Sequence, residues 1–350
     1  MAYQEKINIY VPHEIGLRLK GDARLFEIFK KDRRTLNLNR FLSMVLCGYY
    51  DDYCQENKNI YDSIMAILES TSMGEKNKEE TADKIVNQVF LPAIPKRKGK
   101  KPICLSLKPT NDTERIIRDI MQDLAGKDFI SQYFCRMLMS YCRKPISERE
   151  RIVFKENYDK LQMACNEGRS VTFTLIWDDK REYEIIPYAV ASGSEEMFNY
   201  LIGEGTNYKT GEPEAVSIRL NRIDHLSFGR TNRAISEEIR THCSRMIETA
   251  PQYAINSNEE ICVRLNDAGE KLYNRIYYGR PAYDRIEDRE DGHYYFFSCS
   301  STQVFHYFRR FDNTTAIIVS PHYLRKRMID FHANSLSAYG QQEEETTTHV

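Results

Sequence analysis

The sequence reads KINIYV at residues 6–11 and ICLSLK at residues 103–108. In both stretches apolar and polar side chains alternate strictly, which is the period-2 pattern of a half-buried strand. Two helix-like segments follow each stretch, at 13–31 and 38–53 after the first and at 112–124 and 129–142 after the second. The sequence therefore contains an internal repeat of one strand and two helices.

The two strands of this repeat are expected to pair with each other. A lone strand leaves its N–H and C=O groups without partners, so a strand-helix-helix unit is stable only when two copies form a two-stranded ribbon. The second helices align at an offset of 92 residues and the strands at an offset of 96. The first copy is therefore about four residues longer around its first helix, as that difference of offsets requires.

This repeat resembles the ribbon-helix-helix family of DNA-binding proteins, and two copies in one chain imply an intramolecular pseudo-dimer. The resemblance implies that the outward ribbon residues contact DNA and that the N-terminus of each second helix binds phosphate. The outward residues would be Lys6, Asn8, Tyr10, Cys104, Ser106 and Lys108, with phosphate anchors near Asn37, Asn39 and Ser131. Cys104 and Ser106 are weaker base readers than Arg, Asn or Gln, so DNA reading and a purely structural assembly role both remain open.

The charge of the whole chain gives little guidance to its partners. Lys and Arg number 50 and Asp and Glu 51, so any affinity for nucleic acid must come from local patches. Between the two repeats, helices are predicted at 60–69 and 79–90, followed by LPAIPKRKGKK. The last six residues of this run hold five positive charges, which suits either a solvated linker or a segment that follows phosphates.

Several classes of protein are not favoured by the sequence. The chain has no signal-like leader and no long apolar run, which predicts a cytoplasmic protein without a membrane segment. Its nine cysteines are scattered without a CxxC pair, as expected of buried, reduced thiols. No phosphate loop, HExxH or nucleophile elbow occurs, so we expect no enzyme activity, no cofactor and no metal. A nuclease built from separated carboxylates would leave no such motif and stays open.

The middle of the chain resembles the WYL domain, an Sm-like or SH3-like β-barrel of bacterial regulators. A helix at 147–168 precedes short strand-like runs separated by turn signals, which indicate a small barrel. The family triplet is matched by Tyr200 and Leu201, with Asn199 where the family has Trp, and a later motif by Arg219 and Arg222. The resemblance implies a ligand-sensing or nucleic-acid-binding groove that contains Thr172, Thr174, Arg181, Tyr200, Arg219 and Arg222. Tyr200 is alternatively a core residue of the barrel.

The C-terminal part predicts a ferredoxin-like α+β domain. Its pattern is strand, helix, strand, strand, helix, strand, and it resembles the extension behind WYL barrels, which implies a homodimer through this domain. The tail QQEEETTTHV is expected to be disordered. The chain is thus predicted to be an α+β multidomain protein with domains at 1–54, 55–101, 102–145, 147–240 and 255–340 and a tail at 341–350.

Taken as a whole, this architecture resembles the WYL accessory proteins of type VI-D CRISPR systems. That resemblance implies a protein of antiviral defence that binds single-stranded RNA, or possibly DNA, and enhances an RNA-guided, RNA-cleaving effector. The alternative is a DNA-binding transcriptional regulator whose WYL barrel senses a ligand. The weak base readers in the ribbon favour the first interpretation.

Overall fold

The computed structural model describes residues 6–91, 99–124, 130–193, 197–230, 233–312 and 314–347. Over these residues the protein is mixed α/β, with eleven α-helices and three antiparallel sheets. The chain divides into two compact units, one of residues 1–159 and 220–222 and one of residues 160–219 and 223–350.

The N-terminal unit is built around a two-stranded ribbon. Its strands are antiparallel, with Ile9 opposite Leu105, which confirms the predicted pairing. The elements are β1 (Ile7–Val11), α1 (His13–Leu25), α2 (Leu38–Glu69), α3 (Glu75–Ile85), β2 (Ile103–Leu107), α4 (Asn111–Leu124), α5 (Ile130–Tyr141) and α6 (Ile146–Val153). Helix α7 (Lys155–Glu167) follows after a break at Phe154, where the sequence predicts one helix.

The apolar face of the ribbon is buried in the core of the N-terminal unit. Ile9 and Val11 of β1 and Leu107 of β2 are each at most 1% exposed. Large aromatic residues of the second helices are buried in the same unit, among them Phe41 of α2 and Tyr141 of α5, whose ring centroids lie 6.3 Å apart. The period-2 pattern therefore identifies the buried face of both strands.

Two helices of this unit differ from the predicted ones. Helix α2 is continuous over 32 residues and crosses the predicted domain boundary at residue 54, because no Gly or Pro occurs between residues 49 and 69 to end it. Helix α1 ends at Leu25 instead of residue 31, and Glu27 follows with a φ of 60°. In the loop 26–37, Asp32 accepts hydrogen bonds from the backbone N–H groups of Arg34 and Thr35. The additional residues of the first copy lie in this loop.

Two predicted segments fall outside the described residues. They are the first half of the basic run at 96–101, namely residues 96–98, and the AGKD break at 125–128.

The first sheet of the C-terminal unit has five strands in the order β6-β5-β4-β3-β7. These are β3 (Val171–Leu175), β4 (Asp178–Ser192), β5 (Asn199–Thr206), β6 (Pro213–Arg219) and β7 (Ile223–Phe228). Strand β4 is long enough to pair with β3 through its first half and with β5 through its second half. One side of the sheet packs on α8 (Glu237–Thr249) through a cluster that includes Ile202, Ile239 and Met246.

The predicted small β-barrel is not confirmed, because the described residues form no closed barrel. Strands β6 and β7 are the two edges, and no ladder among the described residues joins them. Neighbouring strands are antiparallel throughout this sheet. The first and the fifth strand in the order, β6 and β7, therefore run in the same direction. Consecutive strands of the same sense cannot form a hairpin, and only a 3₁₀ turn, Leu220–Arg222, connects them.

The second sheet has four strands in the order β11-β8-β10-β9. Its elements follow the predicted order: β8 (Ile261–Leu265), α9 (Asp267–Arg275), β9 (Arg285–Arg289), β10 (Gly292–Phe297), α10 (Ser301–Phe308), β11 (Ala316–Ser320) and α11 (His322–Thr347). Tyr295, Phe297 and Tyr307 belong to an aromatic core under this sheet.

The last helix departs from the predicted tail. Helix α11 continues to Thr347, where the sequence predicts disorder from residue 341. Gln and Glu, which fill residues 341–345, are good helix formers and can extend a helix without packing. Within the described residues, no helix combines the length and the apolar content that a membrane crossing requires.

Candidate nucleic-acid interfaces

The ribbon exposes the face that the sequence predicts. Asn8 lies opposite Ser106, whose Oγ donates a hydrogen bond of 2.9 Å to the Asn8 Oδ1 atom, and Tyr10 lies opposite Cys104. Tyr10 is 55% exposed. Lys6 and Lys108 flank the first ladder pair, so both exposed lysines are at the same end of the ribbon. All six predicted outward residues are therefore on the face opposite the apolar core.

Two of the three predicted phosphate anchors, Asn37 and Asn39, have structural partners. Asn37 caps α2, since its Oδ1 atom accepts a hydrogen bond of 3.1 Å from the Arg40 backbone N–H. Asn39 accepts one of 2.6 Å from the Lys108 backbone N–H and so joins α2 to the end of β2. Ser131 is half-buried in the first turn of α5. The first turns of α2 and α5 contain no acidic residue, so no side chain there opposes the positive end of the helix dipole.

The two predicted threonines lie beside carboxylates. Thr172 is opposite Glu184, and Thr174 is opposite Glu182 on one side and Asp224 on the other. Paired residues of neighbouring strands share a face of the sheet. The Thr172 hydroxyl also lies 2.8 Å from the Ser227 hydroxyl. At this position the strand register therefore places acidic residues, and not basic ones, next to the threonines.

Arg181 is exposed next to two aromatic rings. Its guanidinium carbon lies 4.8 Å from the ring centroid of Tyr183 and 5.5 Å from that of Tyr208. Tyr208 is 70% exposed, so this cation–π pair is accessible from solvent.

Tyr200 and Arg219 face each other across the β5–β6 ladder. Tyr200 packs against the apolar cluster under α8, in agreement with the alternative of a core residue. The guanidinium carbon of Arg219 lies 3.2 Å from the ring centroid of Phe198. Both residues are half-buried.

Arg222 belongs to the 3₁₀ turn that clusters with the N-terminal unit. Its Nη2 atom lies 3.2 Å from the Glu27 Oε1 atom, and its side chain is 47% exposed. The neighbouring Asn221 Nδ2 atom donates a hydrogen bond of 3.2 Å to the Phe26 carbonyl. Arg222 is therefore held in an ion pair, which lowers its availability to a phosphate.

A cleft of about 530 Å³ contains cationic residues that the sequence interpretation did not select. Its lining consists of Glu167, Arg169, Phe228, Gly229 and Arg230. The Arg169 guanidinium carbon is 4.7 Å from the Phe228 ring centroid, and its Nε atom donates to the Gly229 carbonyl at 3.4 Å. Arg169 and Arg230 are far apart in sequence and meet only because β3 pairs with β7. No local motif signals this cleft.

The cysteines divide by burial. Cys135, Cys142, Cys243, Cys262 and Cys299 are buried, whereas Cys47 and Cys104 are exposed, and all nine are free thiols. Burial raises the pKa of the Cys243 thiol to about 12, so that thiol stays protonated at neutral pH. In the described part of the chain, no group of His, Cys, Asp and Glu side chains is placed to hold a metal ion.

Comparison with known proteins shows a likeness of fold. No family model matches the chain, and no curated protein matches it. A solved structure described as that of a CRISPR Cas-related protein is 18% identical, with a TM-score of 0.66, and the match covers 98% of this chain and 95% of that one. Proteasome accessory factor B/C of Arthrobacter aurescens is 13% identical over 79% of this chain and 46% of its own, but its TM-score of 0.25 is too low to carry an argument. The chain therefore shares its fold, over nearly its whole length, with a CRISPR Cas-related protein.

Proposed function

We propose that this protein is a non-catalytic accessory protein that binds single-stranded RNA and enhances an RNA-guided CRISPR effector of type VI-D. In this proposal β1 and β2 with their helices form a ribbon-helix-helix pair, the five-stranded sheet is an open WYL module, and the four-stranded sheet is ferredoxin-like. The observation that carries the proposal is the fold shared with a CRISPR Cas-related protein over 98% of the chain.

A fold by itself does not determine function, so the proposed RNA binding has to be assigned to a site. We assign it to the cleft around Arg169. Guanidinium groups bind phosphate in a bidentate manner and also stack on planar rings. Arg169, Phe228 and Arg230 supply two cations and one ring to this cleft, against one carboxylate from Glu167. A lining with an excess of cations and a ring suits the backbone and bases of an unpaired strand. Arg181 with Tyr183 and Tyr208 offers a second pairing of cation and rings in the same unit.

The test compares RNA binding by two matched double variants of the full chain. Arg169→Ala with Arg230→Ala should weaken binding of a single-stranded RNA about tenfold and lower the salt slope by about two, as expected for two lost phosphate contacts. Arg325→Ala with Lys326→Ala removes the same charge from the exposed surface of α11 and should change little. Unchanged RNA affinity in the first variant would remove the cleft from the mechanism.

The accessory role is tested by effector activity. RNA cleavage by a type VI-D effector should rise when the full chain is added, and it should rise less with the Arg169→Ala, Arg230→Ala variant. No change in cleavage on addition of the wild-type chain would refute the role in a CRISPR system.

The proposed homodimer is tested by light scattering. In the proposal the two chains meet through the C-terminal domain, so the measured mass should be twice that of the chain. A mass of one chain at all concentrations would overturn this part of the proposal.

The ribbon favours a second candidate, a DNA-binding regulator. Its exposed face carries Lys6, Asn8 and Lys108 next to a helix start without acidic residues. Binding of single-stranded RNA, single-stranded DNA and duplex DNA at one ionic strength separates the two functions. A preference for duplex DNA with a fixed half-site spacing would favour the regulator.

A further inference from the structure

The C-terminal helix α11 exposes a stripe of large apolar residues. Ile329, Leu336 and Tyr339 are 58%, 76% and 73% exposed. They follow one another at intervals of seven and three residues, which places them on one side of the helix at a and d positions of a heptad. Exposed large apolar residues that occur in a group, instead of singly, mark interaction sites. These three residues are called the α11 seam below.

The seam is separate from the side of α11 that packs on its own domain. Leu324 is buried in the aromatic core under the four-stranded sheet, and Met328 and Phe331 pack against that core. At 3.6 residues per turn, the seam lies about a quarter of a turn away from these residues. The core of the domain therefore leaves the seam uncovered.

The second half of α11 extends beyond this core. Residues 336–339 are all exposed, and the helix continues to Thr347. An isolated helix of roughly 12 residues is marginal in water, because its first turn fixes several residues for a single hydrogen bond. A partner that covers Leu336 and Tyr339 would therefore stabilise this half of the helix.

The charges of α11 are segregated along its axis. Residues 322–332 include three basic residues, at 325–327, against Asp330, whereas residues 333–347 include three glutamates, at 343–345, and no basic residue. In the part of the chain that the structure describes, none of the three basic side chains forms an ion pair with a carboxylate. The helix is thus positive near its start and negative near its end, so a second α11 in the reverse direction is complementary to it in charge.

This order of charges is the reverse of the one that stabilises a single helix. Acidic residues are favourable near a helix N-terminus and basic residues near its C-terminus, because of the helix dipole. The first turn of α11 contains no acidic residue and its last turn no basic one. An antiparallel partner offsets this local cost, because it brings its acidic end to the basic start.

One antiparallel register satisfies both the seam and the charges. Residue 334 is the midpoint of Ile329 and Tyr339, and it is also the midpoint of Arg325 and Glu343. A twofold axis at this position places Ile329 opposite Tyr339 of the second copy and Arg325 opposite its Glu343. Positions 325 and 343 continue the heptad spacing of the seam in the two directions. A parallel pair would instead place like charges against each other.

We propose that the partner of the α11 seam is a second copy of this chain, and that the two α11 helices pair antiparallel about a twofold axis near residue 334. The inference rests on the proposed homodimer and names its contact. A surface that is complementary to itself suits a twofold dimer, in which both chains use the same patch. Exposed ion pairs add little affinity, so the apolar seam supplies most of it and the charges set the direction. Nucleic acid does not fit this surface, because the glutamates at 343–345 repel phosphate.

The first test compares two tyrosines of α11 in the full chain. Tyr339 belongs to the seam, whereas Tyr323, which is 48% exposed, lies on another side of the helix. Tyr339→Ala should raise the dissociation constant of the dimer about tenfold, as expected when a side chain buried in the contact is lost. Leu336→Ala should act in the same direction, and Tyr323→Ala should leave the constant unchanged. Sedimentation over a range of chain concentrations measures all three variants.

The second test addresses the direction of the pair. The triple variant Glu343→Lys, Glu344→Lys, Glu345→Lys makes both ends of α11 basic, so an antiparallel pair then opposes like charges. Its dissociation constant should rise about tenfold at low salt, and high salt should remove the difference by screening. The helix itself is not weakened, because lysines are favourable near a helix C-terminus. A dissociation constant like that of the wild type at low salt would overturn the antiparallel direction.

The outcomes separate this contact from the proposed homodimer. A wild-type dimer that persists unchanged in Tyr339→Ala and Leu336→Ala would overturn the seam contact and leave the homodimer in place. A wild-type chain with the mass of one chain at all concentrations would overturn both.

Discussion

The ribbon of the N-terminal unit and the five-stranded sheet of the C-terminal unit present polar side chains in different ways. The β1–β2 ladder is regular from end to end, so one face is uniformly apolar and the other holds all the outward residues. The ladders of β3 and β4 are interrupted near Thr174 and near Pro187. Each interruption changes which side chains become neighbours. A regular ladder places alternate residues of a strand on one face, whereas an irregular ladder does not keep them on a single face.

The largest effect is expected from the buried face of the ribbon. Ile9 is 1% exposed, so Ile9→Ala should lower the free energy of unfolding of the N-terminal unit by about 4 kcal/mol. Tyr10, the next residue, is 55% exposed, and Tyr10→Ala should change it by about 0.5 kcal/mol or less. Urea unfolding followed by circular dichroism measures both. Similar losses at the two positions would contradict burial of a single face.

The next effect concerns the close approach of β4 and β5. A Cβ atom on Gly203 would lie 2.3 Å from the Ile186 carbonyl oxygen, which belongs to the backbone and cannot rotate away. Gly203→Ala should therefore destabilise the C-terminal unit by about 3 kcal/mol. A Cβ atom on Gly21 in α1 would meet no other atom within 4 Å, and Gly21→Ala should stabilise the chain by about 0.5–1 kcal/mol. Thermal unfolding of both variants checks the pair, and a stable Gly203→Ala variant would refute the close approach.

The third effect compares the two polar faces directly. Lys6→Ala with Lys108→Ala should weaken binding of nucleic acid about tenfold at low salt, as expected for the loss of two phosphate contacts. The dependence of the affinity on salt should then fall by about two in slope. Thr172→Ala with Thr174→Ala should leave the affinity unchanged, because the residues paired with these threonines across the ladders include Glu184, Glu182 and Asp224, which repel phosphate. Fluorescence anisotropy over a series of salt concentrations measures both variants. A loss of affinity in the threonine variant alone would reverse the assignment of the two faces.

The smallest effect is a pH dependence in the additional loop of the first copy. Hydrogen bonds from Thr35 and Arg34 lower the pKa of Asp32 from 3.8 to about 2. Because the folded-state pKa is the lower one, the stabilisation is present above pH 3.8 and is lost as the pH falls toward 2. The difference in melting temperature between the wild type and Asp32→Asn should therefore shrink from about pH 4 to about pH 2. A constant difference would show that the Asp32 charge contributes nothing.

The helices show what local sequence can and cannot predict. The starts of α4 and α5 are predicted within one residue, because apolar spacing and polar breaks are local signals. The continuity of α2 is missed because the polar residues between positions 54 and 60 suggest a loop, although none of them ends a helix. The end of α1 at Leu25 is missed because loop 26–37 is stabilised by its own turn around Asp32.

The candidate sites also differ in whether the local sequence predicts them. The outward ribbon residues follow from alternation alone, and the structure places them on one face. The Arg169–Arg230 cleft depends on the pairing of β3 with β7, and these two strands are far apart in sequence.

By itself, the sequence determined the strands of this protein, the internal repeat and the buried side of each ribbon strand, because these depend on the periodicity of neighbouring side chains. Only the tertiary structure decided that the central sheet stays open and that Thr172 faces Glu184, while Arg169 meets Phe228. Such contacts depend on strand register over tens of residues, and a shift of one residue in register exchanges the two faces of a strand.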